Sequence, residues 1–347
     1  MAPEEWPIAA PAADRAVEPA RPAGRSRLDI VRSDFFLDPE KRLTEQERAL
    51  MTALLDSLVA QLADDLRAEL PLGLAAANDG DGSRLLGDLR SSGLLDLPQL
   101  VDLLLRRADE ERIAVAVRAH GDVRPNRHLQ SLVAGDSPDV SAAAMALILA
   151  RGRRRDRLGQ PLVELDDLAT PTARSLAYAI AAGLSRGNPW SQAPLADAVE
   201  AVLARHDPRR SVATLIASLA TAMEHSGMLD DIRLGAAAEA GDVGLLAEGL
   251  ARRAAVPTAD ALDHLLVGGN GRLVLLLRMA AASRELAARI LAALGELVGI
   301  GNPGREIATF ESLSDDEVSA ARQRFGHATE YRDALSALEA VNGKRGA

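Results

Sequence analysis

The chain has 347 residues, of which 48% are apolar and 26% charged, so it is long enough for one large or two ordinary globular domains. It contains no cysteine, which excludes disulfides, cysteine nucleophiles and thiolate zinc sites. A net charge of −10 and only 2% aromatic residues oppose generic nucleic-acid binding. No apolar run is long enough to cross a bilayer. We therefore expect a cytoplasmic protein with no membrane partner.

The two ends of the chain differ in composition from the rest. Residues 1–31 are rich in Pro, Ala and Arg and lack a sustained apolar period, which predicts a disordered N-terminal arm. We expect an α-helical repeat domain over residues 32–342 and a flexible tail at residues 343–347. A subdivision of the helical domain near residues 155–170 is an alternative.

The first predicted element is a long amphipathic helix at residues 44–70. Thr44 and Glu47 have the spacing of a capping box, and the segment after them repeats apolar residues every three or four positions. At 1.5 Å per residue such a helix is about 39 Å long. Burial of its apolar stripe requires several partner helices or a second copy of the chain. A homodimer through the 44–70 helix is therefore one candidate assembly.

Proline and glycine divide the rest of the chain into short helical patterns. Many predicted helices begin at a proline and end at a glycine, as the backbone needs of helix termini favour. The best strand candidate, QPLVELDDL at 160–168, is short and isolated. Segments from His128 and from His264 each show a short helix, a polar turn and a nearly wholly apolar helix. Such apolar helices are expected between two layers. The predicted fold is an all-α, irregular HEAT-like helical-repeat superhelix (α-solenoid) after the long N-terminal amphipathic helix.

Three stretches carry a resemblance to a known family: SDFFLDPEKRLTEQERALM, AAAMALILARGRRRDRLGQP and LSDDEVSAARQRF. Together they resemble an uncharacterised bacterial family of all-helical, HEAT-like repeat proteins, over residues 33 to about 340. The resemblance implies an all-α superhelix. It implies no activity and no catalytic residues.

Catalytic and metal-binding patterns are missing from the sequence. The six histidines include no HExxH and no pair three or four residues apart. Asp207, before a proline, is expected to cap a helix, and Ser314 with Glu317 forms a second capping box. The GGNGR stretch at 268–272 lacks the lysine and the preceding strand of a phosphate loop. We therefore expect no cofactor, no metal site and no enzymatic activity.

The most unusual feature is RGRRRDR at residues 151–157, directly after the apolar stretch SAAAMALILA, which we expect to be buried. Five arginines and one aspartate give a local charge of +4 in an acidic chain, more than a helix C-terminus needs. Three interpretations remain open: an internal ion-pair network, a surface for a protein partner, and a nucleic-acid or phosphate site. The candidate binding residues are Arg151, Arg153, Arg154, Arg155 and Arg157. The candidate internal partners are Glu164, Asp166 and Asp167.

These observations predict a non-enzymatic protein-interaction or regulatory scaffold built on an α-helical repeat surface, with a protein partner. The alternative is a nucleic-acid-binding HEAT-like protein that uses the Arg151–Arg157 cluster. The two differ in whether other arginines converge on the same face of the fold as the cluster. Those arginines are Arg106, Arg107, Arg112 and Arg118.

Overall fold

The computed structural model describes residues 43–71, 82–120, 126–186, 192–266 and 271–325, together with residues 327, 331, 334 and 338. The described residues form fifteen α-helices and no β-strand, which confirms the all-α class. All the helices belong to one compact unit that begins at Glu45. The predicted arm, residues 1–31, and the predicted tail, residues 343–347, lie outside the described residues.

The helices are numbered in chain order. They are α1 (Glu45–Ala68), α2 (Gly82–Ser91), α3 (Pro98–His120), α4 (Arg127–Val133), α5 (Pro138–Arg153), α6 (Thr170–Ser185), α7 (Gln192–Arg205), α8 (Val212–His225), α9 (Asp231–Glu239), α10 (Val243–Ala254), α11 (Thr258–Leu266), α12 (Arg272–Met279), α13 (Arg284–Leu294), α14 (Pro303–Ser312) and α15 (Asp315–Phe325). Short 3₁₀ turns occur at Leu165–Asp167, Pro208–Arg210 and Glu296–Val298.

The long N-terminal helix α1 buries its apolar stripe within its own chain. Leu54, Leu58, Leu62 and Leu66 are almost fully buried, and the helix packs against α3, α6 and α7. Partner helices of the same chain thus cover the face that the sequence marked for burial. The homodimer through the 44–70 helix stays a prediction.

Two apolar clusters make up the core, and α3 contributes to both. Leu100 and Leu104, near the start of α3, lie in a cluster with α1, α2, α6 and α7. Ile113 and Val117, near its end, lie in a second cluster with α4, α5 and the helices from α8 onwards. The chain therefore passes from the first cluster to the second at α3 and returns to the first at α6. It enters the second cluster again at α8. The middle of α3, which is charged, runs between the two clusters.

Alternate helices contact one another in the C-terminal half, where α8 packs on α10, α10 on α12 and α12 on α14. Such contacts are typical of stacked helix pairs. Helix α9, however, packs on α13, so the stacking is not uniform along the chain. The superhelix, and the domain bounds at residues 32–342 and near 155–170, stay predictions.

Burial of the two helices predicted to lie between layers differs from expectation in one case. Helix α12 is buried on nearly every side, as predicted. Helix α5 was expected to be buried as well, but Met145 is 42% and Leu149 is 59% exposed. The prediction for α5 is wrong because α4 and α8 cover only one side of this helix. An apolar stripe on α5 therefore faces solvent.

Local capping chemistry follows the sequence closely. Asp207 caps the 3₁₀ turn at Pro208–Arg210 by accepting from the Arg209 N–H, as predicted. Ser314 and Glu317 cap each other's backbone N–H groups at the start of α15. The segment 160–168 is not a strand: it contains one isolated bridge, between Arg155 and Pro161, and the 3₁₀ turn at Leu165–Asp167.

Arg112 connects three parts of the fold around a buried carboxyl group. Its guanidinium lies 3.2 Å from Glu47 of α1 and 3.5 Å from Asp109, and it donates to the Leu297 carbonyl at 3.0 Å. Burial raises the pKa of Asp109 to about 6; Arg112 opposes this rise and Glu47 adds to it. Because this pKa exceeds that of an unfolded aspartate, the folded state holds its proton more tightly, and stability falls as pH rises from about 4 to about 6.

We expect Asp109→Asn to remove this loss of stability. The free energy of unfolding from urea titration should match wild type near pH 4 and exceed it by about 1–2 kcal/mol near pH 7. This difference is smaller than the full pKa shift implies, because solvent partly screens the carboxyl group. Asp64→Asn removes an exposed acid of α1 and controls for loss of one negative charge. Equal destabilisation of Asp109→Asn at all pH values would contradict the assignment.

Candidate functional site

The five arginines of the cluster divide between the interior and the surface. Helix α5 continues through Gly152 to Arg153, and Arg154 is its C-cap residue. Arg151, Arg154 and Arg155 each contact an acid of the same chain. Arg153 and Arg157 are exposed and have no ion-pair partner within the described part of the chain. The cluster is therefore two sets of residues with different surroundings.

Arg151 is held by a buried aspartate from the turn between α9 and α10. Its two terminal nitrogens donate to the two oxygens of Asp242, each at 2.7 Å, and His128 Nε2 lies 2.7 Å from Oδ2. Asp242 also caps α10 by accepting from the Leu245 N–H at 3.1 Å. One carboxylate, only 4% exposed, thus joins α4, α5 and α10.

The charges of this group fix its protonation. Burial favours the neutral acid and raises the pKa of Asp242, but the charge of Arg151 and the hydrogen bond from His128 outweigh it and hold that pKa far below its usual range. Burial alone would lower the pKa of Arg151, but Asp242 raises it above its ordinary value. Both members of the pair are therefore ionised at neutral pH and well into acid.

Arg154 is the most buried arginine of the cluster. Its Nε donates to Asp167 at 2.7 Å, one terminal nitrogen lies 3.0 Å from Glu164, and the other donates to the Arg210 carbonyl at 3.2 Å. Asp167 also accepts from the Val212 N–H at the start of α8. Burial alone would raise the pKa of Asp167. The charge of Arg107, and then the hydrogen bond and charge of Arg154, outweigh burial, so this pKa lies below its usual range. The group connects the end of α5 to α8.

Arg155 shares its carboxylate with a second arginine. It lies 2.6 Å from Glu111 of α3 and donates to the Gly159 carbonyl at 2.6 Å, while Arg118 lies 3.2 Å from the same glutamate. Asp166 contacts Arg210, at 3.0 Å, and no member of the cluster. Of the three candidate acids, Glu164 and Asp167 thus contact the cluster through Arg154, and Asp166 belongs to another pair.

A cavity of about 410 Å³ lies between α3, the end of α5 and the turn that precedes α10, and its lining includes Arg151, Arg154, Arg155 and Asp242. A second cavity of about 510 Å³ shares Arg107, Glu110 and Gly244 with the first, so the two lie side by side along α3. Arg107 pairs with Glu110 at 2.6 Å on the wall that they share. Arginine and acidic side chains thus lie together along the charged middle of α3.

Gly241 allows the turn before α10 to lie directly on α3. Its φ of +67° is in the left-handed region, and a Cβ atom there would lie 3.1 Å from the Ala114 Cα. A side chain at this position would push the turn away from α3. Glycine is therefore what brings Asp242 to Arg151.

The four arginines that could discriminate between partner classes do not all converge. Arg107 and Arg118 line the cavity with the cluster, and each has an acidic neighbour. Arg106 pairs with Asp102 and lines the second cavity, and Arg112 pairs with Glu47. Convergence of Arg107 and Arg118 forms a mixed-charge wall, which differs from the basic face that a nucleic-acid backbone requires.

The described residues offer neither a metal cluster nor a membrane span, and the chain has no match in the comparisons with known proteins. Within the described ranges, no group of three or more His, Cys, Asp or Glu residues could hold a metal ion. None of the described helices is long and apolar enough to cross a membrane. No protein-family model, curated protein or solved structure matches the chain. The resemblance to a HEAT-like family therefore stays a prediction.

We expect Asp242→Asn to destabilise the fold by about 3–5 kcal/mol, because Arg151 keeps its charge in a buried site without a carboxylate. The loss should show as a lower urea midpoint. It should shrink steadily as pH falls from the unfolded value of about 4 toward the depressed folded pKa of Asp242, because this stabilisation is complete above the unfolded pKa and absent below the folded one.

The matched control for this prediction is Asp263→Asn, which breaks an exposed ion pair with Arg272. Loss of that pair should cost less than about 1 kcal/mol. Similar losses of unfolding free energy in the two variants would show that the ion pair of Asp242 stabilises the fold no more than an exposed pair does.

Proposed function

We propose that this protein is a non-enzymatic interaction module, and that it binds an amphipathic helix of a partner protein on the outer face of α5. The partner helix has an apolar face with acidic residues beside it. The observation that carries the proposal is the stripe of Ala142, Met145, Leu149 and Arg153, spaced three or four residues apart and exposed along one side of α5.

The apolar part of this α5 stripe consists of Ala142, Met145 and Leu149, which follow one another along the exposed side of the helix. Met145 is 42% and Leu149 is 59% exposed, and Leu158, in the turn that follows the helix, is 85% exposed. Exposed apolar side chains in a row along one helix favour a partner helix, whose own side chains recur at the same spacing. Methionine suits such a surface because its flexible side chain adapts to different neighbours.

Charge complementarity supports an acidic flank on the partner. Arg153 continues the α5 stripe and Arg157 follows it, and neither has an ion-pair partner within the described residues. They stand in a chain of net charge −10, so they form a local basic site on an acidic protein. Arginine is also enriched among the residues that dominate protein–protein binding energy.

The nucleic-acid alternative receives less support from the same geometry. Three of the five arginines of the cluster contact acids of their own chain, and one of these, Arg154, is 4% exposed. Of the five, only Arg153 and Arg157 have no acidic partner among the described residues, and Arg155 faces a cavity of about 410 Å³ that is too small for a nucleic-acid backbone. Two cations neutralise too few phosphates for strong binding by an acidic protein.

The test compares wild type with Leu149→Glu, Arg153→Glu and Ile232→Glu as baits for affinity capture, followed by binding measurements on the captured protein. We expect Leu149→Glu and Arg153→Glu each to weaken binding by about 10-fold or more, because each removes a central contact of the stripe. Ile232→Glu is the matched control, since Ile232 is 70% exposed on α9.

Three outcomes would contradict the proposal. The first is a captured protein that binds all three variants equally. The second is a dimer of this chain, measured by light scattering, that Leu149→Glu dissociates. The third is salt-sensitive binding of DNA or RNA that depends on Arg153. Cross-linking through position 149 identifies the bound segment, and a segment that lacks an apolar helix face would also count against it.

A further inference from the structure

We propose that the arginine-lined cavity between α3 and the end of α5 is a binding site for a small molecule that carries a phosphate group, with Arg118 and Arg155 as its main ligands. This site is separate from the α5 stripe and involves different residues. It goes beyond the interaction function and stands or falls independently of it.

The first argument is an imbalance of charge at the cavity wall. Glu111 Oε2 lies 2.6 Å from Arg155, and Glu111 Oε1 lies 3.2 Å from both Arg155 and Arg118. One carboxylate therefore faces two guanidinium groups, so Glu111, Arg118 and Arg155 together carry one positive charge in excess. Guanidinium groups bind phosphate through paired N–H donors, so an anion of this type completes the arrangement.

The second argument is that Arg118 is free to move toward a ligand. Its side chain is 32% exposed, whereas that of Glu111 is 12% exposed. A partly exposed guanidinium can turn from the carboxylate to a bound phosphate without leaving a buried charge unpaired. Arg151 is held in an ion pair by Asp242, and Arg154 by Asp167. These two arginines therefore form part of the cavity wall, and we do not expect them to move when a ligand binds.

The third argument comes from the start of α10, where Val243 and Gly244 line the same cavity. N–H groups in the first turn of a helix have no helical carbonyl to accept from them, and together with the helix dipole they favour an anion. Asp242 already accepts from the Leu245 N–H, so the donors left for a ligand are those of Val243 and Gly244. Gly244 has no side chain to cover this backbone; a Cβ there would lie 3.2 Å from Glu110 Oε1 and 2.9 Å from Ile216 Cδ1.

A buried polar atom independently points to a ligand. The His128 side chain lines the cavity and is 8% exposed, and its Nδ1 has no hydrogen-bond partner among the described residues. Its Nε2 already contacts Asp242. An unpaired buried nitrogen is costly to the fold. Because Nε2 donates to the ionised Asp242, Nδ1 of the neutral ring is an acceptor, and the P–OH group of a singly protonated phosphate is one donor that would satisfy it.

The size and chemistry of the cavity select the ligand class. A volume of about 410 Å³ suits a small molecule and excludes a nucleic-acid duplex. The acids of the wall, Glu110, Glu111 and Asp242, all contact arginines, so they do not form a cation site. A phosphate monoester or free phosphate satisfies the remaining donors, and the two sources share this chemistry.

The test is isothermal titration of the full chain with inorganic phosphate and, separately, with glycerol 3-phosphate at constant ionic strength. We expect saturable binding of at least one of them. Arg118→Gln should weaken it by about 10-fold or more, because one guanidinium contact is lost. Glu111→Gln should tighten it several-fold, because both arginines lose their competing carboxylate.

Arg205→Gln is the matched control. Arg205 pairs with Glu69 at 2.6 Å and does not line the cavity, so this variant should bind like wild type. Tighter binding of the ester identifies an esterified ligand, and equal or tighter binding of inorganic phosphate identifies free phosphate; both support the site. The ring resonances of His128 should shift during the titration, because its side chain lines the cavity.

Absence of saturable binding of both probes overturns the proposal. It is also overturned if Arg118→Gln and Arg205→Gln weaken binding equally, or if Glu111→Gln weakens binding while its circular dichroism spectrum and urea midpoint match wild type. The two cavity variants are expected to act in opposite directions, so a general loss of fold cannot imitate the expected result. None of these outcomes depends on capture of a protein partner.

Discussion

The charged middle of α3 is the constraint on which the rest of the structure depends. This helix ends in one apolar cluster and begins in the other, so its central residues pass between two dry regions. Charges in such a place require partners, because desolvation of an unpaired ion costs several kcal/mol. Arg107 and Glu111 obtain theirs from distant parts of the chain, Asp167 and Arg155 respectively. These contacts fix where the end of α5 and the start of α8 lie against α3.

The arginine cluster divides because of helical geometry. Consecutive residues on a helix project about 100° apart, so Arg151 and Arg153, in the same last turn of α5, point to different sides. Arg151 lies toward α3 and α10, where Asp242 neutralises it. Arg153 lies on the exposed side with Leu149. One short sequence can therefore supply a structural ion pair and an accessible cation at the same time.

Helix starts and caps could be predicted from the sequence because their partners are at most a few residues apart. Ser314 with Glu317, and Asp207 before Pro208, are such cases. The charge partners could not be predicted in the same way. Asp242 lies 91 residues from Arg151, and Glu111 lies 44 residues from Arg155. Gly241 carried a usable signal, since a Gly-Asp pair is typical of a turn followed by a cap, but nothing local connects it to α3.

The burial of α5 was predicted wrongly for a different reason, and the weak strand candidate at 160–168 is a turn in the all-α fold. Alternating apolar residues in VELDDL fit a strand, yet Glu164 and Asp167 cap each other and close a 3₁₀ turn. The apolar composition of α5 indicated burial, but composition does not specify how many neighbours a helix obtains. Met145 and Leu149 remain exposed because no other described helix covers that side.

The cavity and the α5 stripe lie on opposite sides of the same helical turn, which bears on whether they communicate. Coupling between two sites requires an element with two arrangements that both ligands bias. The last turn of α5 is held by Arg151 on Asp242 and, just beyond it, by Arg154 on Asp167, both through buried carboxylates. Displacement of this turn would break two ion pairs at several kcal/mol each. The architecture therefore favours two independent sites on a rigid helix end, with Arg118 and Arg153 as the side chains that respond to ligands.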